Sequence, residues 1–281
     1  MILRILSSLL LMVFCSFQPL SAQTVDVIQL SVPPTLDGQD LEWENHPGVR
    51  IQLHQNGADS VVEATDILVK AGRFNDEVLF YLEWNDNIAD EVHKPYIWSE
   101  QRGKYVRGPQ REDRLAMQFE VSGAFDADWL SSPGFIADMW HWKAARSNPL
   151  GLAHDKKTTL SINKLLRAAR IASPEGQVVY VLRQDDAGSP LYRSLRYAQK
   201  EQPQMPKYEL QPQSNGSIAD VRARGLWKEG KWHLELLRKM NTGNDDDVVF
   251  IRGRAVKGAI AVFDRSENHD HKTSVTLNFQ F

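Results

Sequence analysis

Apolar and polar positions alternate through most of this chain, and the alternation predicts strands far more often than helices. Val25-Asp-Val-Ile-Gln-Leu-Ser-Val-Pro33 alternates as a half-buried strand does and stops at Pro33-Pro34. Two patterned runs, 61–74 and 78–84, flank the polar Asn75-Asp-Glu and predict a hairpin. Leu115-Ala-Met-Gln-Phe-Glu-Val121 is another short strand, with Leu115, Met117 and Phe119 on one face. Residues 219–227 and 232–238 flank Lys228-Glu-Gly-Lys231 as a second hairpin, and 256–264 and 273–281 are strands on either side of a His-rich loop. From 148 to 216 the chain is rich in Pro, Gln and Ser, and only Thr158 to Ala172 shows helical spacing there. That region is expected to be a long, partly helical excursion. The sum is an all-β protein, an antiparallel β-sandwich, in a single domain over 23–281 with an insertion at about 148–216.

The first residues change the picture of where this domain works. One early cation, an apolar run to Cys15, and Pro19-Leu-Ser-Ala22 read as a signal peptide over 1–22, which implies a periplasmic location. Later apolar runs are too short for a transmembrane helix, so no stable membrane insertion is expected after cleavage. Cys15 is the one cysteine and falls in that leader. The mature domain is therefore expected to lack disulfides, thiolate metal sites and covalently attached haem, and any redox cofactor must be held non-covalently. Net charge is −3 with the cations spread along the chain, which argues against nucleic acid as a partner. Gly-x-Ser-x-Gly, His-Glu-x-x-His and Gly-rich phosphate loops are absent, so no motif supports a hydrolase or nucleotide enzyme. Asn244-Asp-Asp-Asp247 reads as a solvated acidic turn.

Candidate chemistry concentrates in Asp138-Met-Trp-His-Trp-Lys-Ala-Ala-Arg146. As a strand, this segment puts Trp140 and Trp142 on one face and His141 on the other. A His between two indoles can ligate a metal, stack on a flat cofactor or simply hydrogen-bond. Met117 taken alone is a core methionine. His269 and His271 share a face if their segment is extended, and the same Asn-His-Asp-His-Lys run also suits an exposed turn.

Several segments, taken in order, resemble the haem-binding domain of the ethylbenzene dehydrogenase γ-subunit family, which includes cytochrome c-552-like proteins. They are Leu36-Asp-Gly with Trp43, Glu112-Asp-Arg-Leu-Ala-Met-Gln-Phe119, the Trp140-His141-Trp142-Lys143 segment, Gly230-Lys-Trp with Leu237-Arg238, Ala261-Val-Phe-Asp264, and Lys272-Thr-Ser-Val-Thr. The resemblance implies a sandwich like those of DOMON and carbohydrate-binding modules, holding one non-covalent b-type haem. It implies Met117 and Lys272 as axial ligands, with His271 as the alternative to Lys272. In the same picture Trp140 and Trp142 line the pocket, Lys143 and Arg146 meet the propionates, and His141 bonds a propionate or the iron. The implied role is electron transfer for a redox partner or a catalytic oxidoreductase subunit of the molybdenum type, without catalysis by this chain. A secreted carbohydrate-binding module on the same fold is the competing expectation, with exposed Trp and Tyr stacking on sugar rings. Arg238-Lys-Met departs from the Arg-Pro-Leu expected of the family, as does the length of the 148–216 region.

Overall fold

The computed structural model describes residues 23–39, 41–43, 46–56 and 61–281, so the expected leader and Cys15 lie outside the described residues. The first strands are β1 (Gln23–Gln29), β2 (Val49–Gln52), β3 (His54–Asn56), β4 (Asp66–Phe74), β5 (Glu77–Asn85), β6 (Tyr96–Ser99) and β7 (Lys104–Arg107). The middle of the chain gives β8 (Arg114–Gly123), β9 (Gly134–Lys143), β10 (His154–Ser161), β11 (Ala169–Ala172), β12 (Val178–Asp185) and β13 (Tyr192–Ser194). The rest are β14 (Gln204–Met205), β15 (Tyr208–Leu210), β16 (Arg222–Lys228), β17 (Lys231–Lys239), β18 (Ala255–Phe263), β19 (His271–Thr273) and β20 (Leu277–Gln280). The β4–β5 hairpin turns at Asn75, whose φ of 54° is a left-handed conformation that Asn tolerates better than most residues.

One hydrogen-bonded path, β11-β12-β10-β9-β8-β18-β20-β1-β4-β5-β17-β16, forms both layers of the sandwich. Most neighbours are antiparallel; the change of layer happens within β1. Its residues Gln23–Asp26 lie parallel to β20, and Val27–Gln29 lie parallel to β4. Strand alternation then sends one set of side chains inward from each layer. Leu115, Met117, Phe119, Trp140, Trp142, Ile260, Val262 and Phe279 meet Ile67, Val69, Phe80, Leu82, Trp84, Trp232, Leu234 and Leu236 in a continuous core.

The 148–216 region corrects the expectation of a partly helical excursion. Thr158 to Ala172 is the end of β10, a turn, and β11, and β10 is a central strand between β9 and β12. Its apolar positions do not form a helical stripe: Leu160 is buried with Phe135, Val179 and Val181, whereas Leu166 is 85% exposed. The polar centre of β10 disguises it, because Thr158 is buried but satisfied by Gln118 on β8. Among the described residues no helix is long and apolar enough to cross a membrane.

Candidate functional site

Register decides which candidate ligands face one another. In an antiparallel pair, directly opposed residues project from the same side of the sheet. Met117 opposes Ile260, Leu115 opposes Val262, and Val262 opposes Lys272 on β19. Met117 and Lys272 therefore share the inner face, two strands and two residues apart, or about 12 Å between Cα atoms by strand geometry. Lys272 donates from Nζ to the Ala64 carbonyl at 2.9 Å. His271, one residue earlier, faces outward and stacks on Phe263 with ring centroids 4.6 Å apart. His269 is exposed in the turn before β19 and shares no strand face with it.

A thioether and an amine on one apolar face form a donor set whose chemistry suits a low-spin iron porphyrin. The space between them is closed: Leu115, Met117, Ile260 and Val262 are each fully buried. Nearby, Phe80, Phe119, Trp140 and Phe279 meet in pairs at centroid separations of 4.9 to 5.7 Å. Proteins pack such interiors as densely as organic crystals, so a macrocycle enters here only if these side chains part. The haem-free protein is accordingly expected to be fully folded, with sharp near-ultraviolet circular dichroism from its buried indoles and a single cooperative melt. A featureless near-ultraviolet spectrum would contradict this.

The Trp-His-Trp-Lys segment is divided between faces. Trp140 and Trp142 point inward on β9, and the Trp142 indole donates to Asn148 Oδ1 at 3.0 Å. His141 and Lys143 point outward, opposite to Met117 and Lys272. Lys143 Nζ lies 2.6 Å from His154 Nδ1 and donates to the Tyr192 hydroxyl at 3.2 Å. Burial holds its amine well below the usual lysine range, and Arg146 and Lys156 push the same way. Burial also lowers the imidazoles of His141 and of His154, the latter to about 3. Arg146 is engaged by buried Glu112 and stacks over Tyr192 and Tyr208. Strand alternation thus places His141 and Lys143 on the face opposite to Met117 and Lys272, away from the shared pocket that the resemblance implies. Lys143 has partners on that side in His154 and Tyr192, and Arg146 in Glu112 and Tyr192, whereas His141 Nε2 is buried without a hydrogen-bond partner among the described residues.

Two groups of buried acids were not visible as sites in the sequence. At one end of the core, Arg238 NH1 lies 2.6 Å from Asp138 Oδ2, 3.4 Å from Asp247 Oδ1 and 3.5 Å from Asp155 Oδ2, with all four side chains buried. Asp247 is therefore not part of a solvated turn: it is drawn inward as a counter-ion and also accepts from Thr242 and Asn244. Six residues back along β17, Trp232 donates to Asp113, which sits with Asp86 and Asp264 where β5 ends, β8 begins and β18 ends. Asp113 and Asp264 belong to two of the segments that carry the family resemblance, which is the one sequence signal that singles them out. The Leu36-Asp-Gly turn has a structural role as well, since the amides of Asp37 and Gly38 both donate to Glu235 Oε2 at 2.8 Å.

A carbohydrate-binding module of family 9 from Caldicellulosiruptor kristjanssonii, solved with glucose, superposes with a TM-score of 0.38 at 8% identity, over 91% of this chain and 85% of its own. A protein from Bacteroides uniformis assigned to carbohydrate binding gives 0.43 at 10% identity, over 92% of this chain and 100% of its own. No curated protein matches the chain in sequence. The sequence profile of the ethylbenzene dehydrogenase family matches residues 40–274, which contain both layers of the sandwich apart from the first and last strands. Over that span the chain belongs to the ethylbenzene dehydrogenase family.

Proposed function

We propose that this protein is a periplasmic, non-catalytic electron-transfer component of an oxidoreductase, in which Met117 and Lys272 would hold the iron of one non-covalent b-type haem. The observation that carries the reading is their common inner face, on strands joined through β18. When bound, haem supplies reversible one-electron chemistry at iron. The chain's own residues provide the rest. Met117 offers a soft sulfur shielded from water, and Lys272 would hold the iron through its neutral amine. The aromatic interior excludes solvent from Met117, while Lys272 is part-buried at its edge. His271, facing outward, is the less suitable partner for Met117. The chain's counterpart is a redox protein or a catalytic subunit.

The test is an absorption spectrum of protein produced with haem supplied, oxidised and then reduced. A shifted Soret band with a sharp reduced α-band is expected. Met117→Leu keeps the volume at a cost below about 1.5 kcal/mol but removes the sulfur, so its reduced α-band should collapse while the protein stays folded. Lys272→Ala should do the same. A wild-type protein that takes up no haem would overturn the reading.

Sugar binding is the second reading, and one observation favours it. Tyr96, Trp98, Tyr105 and Tyr197 gather, half-buried, on and beside the small β14-β6-β7 sheet, with centroids 5.1 to 6.4 Å apart. Their rings meet at 54° to 83°, so they brace one another more than they form a flat sugar platform. Retention on a polysaccharide affinity gel, with no Soret band, would establish this reading instead.

A further inference from the structure

The two acidic ends of the core differ in one respect. Around Arg238, a guanidinium nitrogen already occupies the point shared by Asp138, Asp155 and Asp247. Around Asp86, Asp113 and Asp264 no cation of the described residues does. Oxygens of these three carboxylates lie within 4.8 Å of one another, and the residues are 2%, 0% and 3% exposed. Glu63 and Asp90 add two further negative charges to the same region. Among the described residues Arg265 is in reach, an exposed residue with Nε 3.4 Å from Asp264 Oδ1 and a terminal nitrogen 3.6 Å from Glu63 Oε1.

Most of the oxygens are spoken for by backbone and indole donors. Asp113 accepts from the amides of Asp90 and Arg265 and from Trp232, Asp264 accepts from the Glu63 amide, and Asp86 Oδ1 accepts from the Ile88 amide. Asp86 Oδ2 is different: it is buried and has no hydrogen-bond partner among the described residues. An ionised, unpaired carboxylate oxygen in such a place costs several kcal/mol unless something positive meets it. Burial and mutual repulsion accordingly push Asp86 up to about 7 and Asp113 to about 8.

We propose that Asp86, Asp113 and Asp264 form a calcium site that ties together the ends of β5, β8 and β18. An all-carboxylate set with no His or Cys selects a hard cation over zinc or copper. Three fixed carboxylates in a buried setting suit calcium better than magnesium, which gives up its waters reluctantly. The site also reaches the Lys272 side of the core. The segment running from Glu63 to Ala64 has its first amide on Asp264 and its second carbonyl on Lys272. Calcium would thus hold the stretch against which that lysine rests, whether or not haem binds.

The experiment uses the full protein, stripped with chelator and dialysed, titrated with calcium chloride in a calorimeter and melted at each concentration. One binding event per chain is expected, with the melting midpoint rising by about 5–10 °C at a hundredfold excess over Kd. Magnesium at equal concentration should give a markedly smaller rise. Asp86→Asn keeps the acceptor for Ile88, removes one buried charge, and should abolish both the heat and the shift. Asp264→Asn serves the same purpose if the first variant does not fold. No heat and no shift in the wild type up to millimolar calcium would overturn the proposal, as would undiminished binding in both variants. Neither readout involves haem, so this result and the spectroscopic one can fail separately.

Discussion

Arg238→Ala should destabilise the protein by about 3–5 kcal/mol, the cost of breaking a buried ion group from one side. The side chain is fully buried, with Asp138, Asp155 and Asp247 around one guanidinium nitrogen, and the other donates to the Val248 carbonyl at 2.7 Å. The same guanidinium lies over the Trp140 ring, 4.8 Å from its centroid. Removing it leaves three carboxylates facing one another in a medium that penalises their charge. The pH dependence has a definite sign. Burial and Asp138 raise Asp155 well above the ordinary carboxylate range in the wild type, burial raises Asp138 too, and Arg238 opposes both rises, so that both carboxyls move further up without it. A carboxyl whose folded pKa is raised binds more protons folded than unfolded, so stability falls as pH rises between the two values. The deficit of the variant should therefore be smaller at pH 5 than at pH 8 in urea denaturation. A loss below 1 kcal/mol at pH 8 would mean that the cluster relaxes to water.

Trp142→Ala should cost about 3–5 kcal/mol, in the range for deleting a fully buried large aromatic. Its neighbours leave little room to refill the space with water or to collapse. Gly225 on β16 is pressed against the indole so closely that a Cβ there would fall 2.3 Å from Trp142 Cζ2. Asn148 joins the pieces: its Oδ1 accepts from Trp142 and from the Gly225 amide, and its Nδ2 donates to the Gly225 carbonyl. Trp142→Phe should lose much less, because it keeps most of the ring. If urea midpoints of Trp142→Ala and wild type differ by less than 1 kcal/mol, the indole is not the packing element this geometry makes it.

These two residues show what the sequence could and could not reveal. Trp140 and Trp142 were legible as a shared strand face because alternation follows from backbone geometry, and the same holds for Leu115, Met117 and Phe119 and for the two hairpins. Arg238 was legible only as part of a family segment. Nothing local distinguishes an arginine held among buried acids from one in water, and the acids come from residues 138, 155 and 247. Asp247 misled for the same reason, since three consecutive aspartates usually mean solvent. β10 was missed because Lys156-Lys157-Thr158-Thr159 has no apolar alternation, although Thr158 is fully buried between two sheet neighbours. The sequence had suggested one pocket for Met117, Lys272, Lys143 and Arg146. Parity along β9 turns Lys143 away from the face of Met117, and parity across three strands becomes readable only when the register of β19 on β18 is known.

Strand β1 has a consequence for how the molecule comes into being. Its first half zips to residues 277–280 and its second half to β4, so the earliest described segment cannot find its place until the final one exists. Closure over so long a stretch of chain is slow, and an elongating polypeptide has no complete second layer to settle into. The sandwich is therefore sealed late in folding, by the meeting of two segments that lie far apart in sequence.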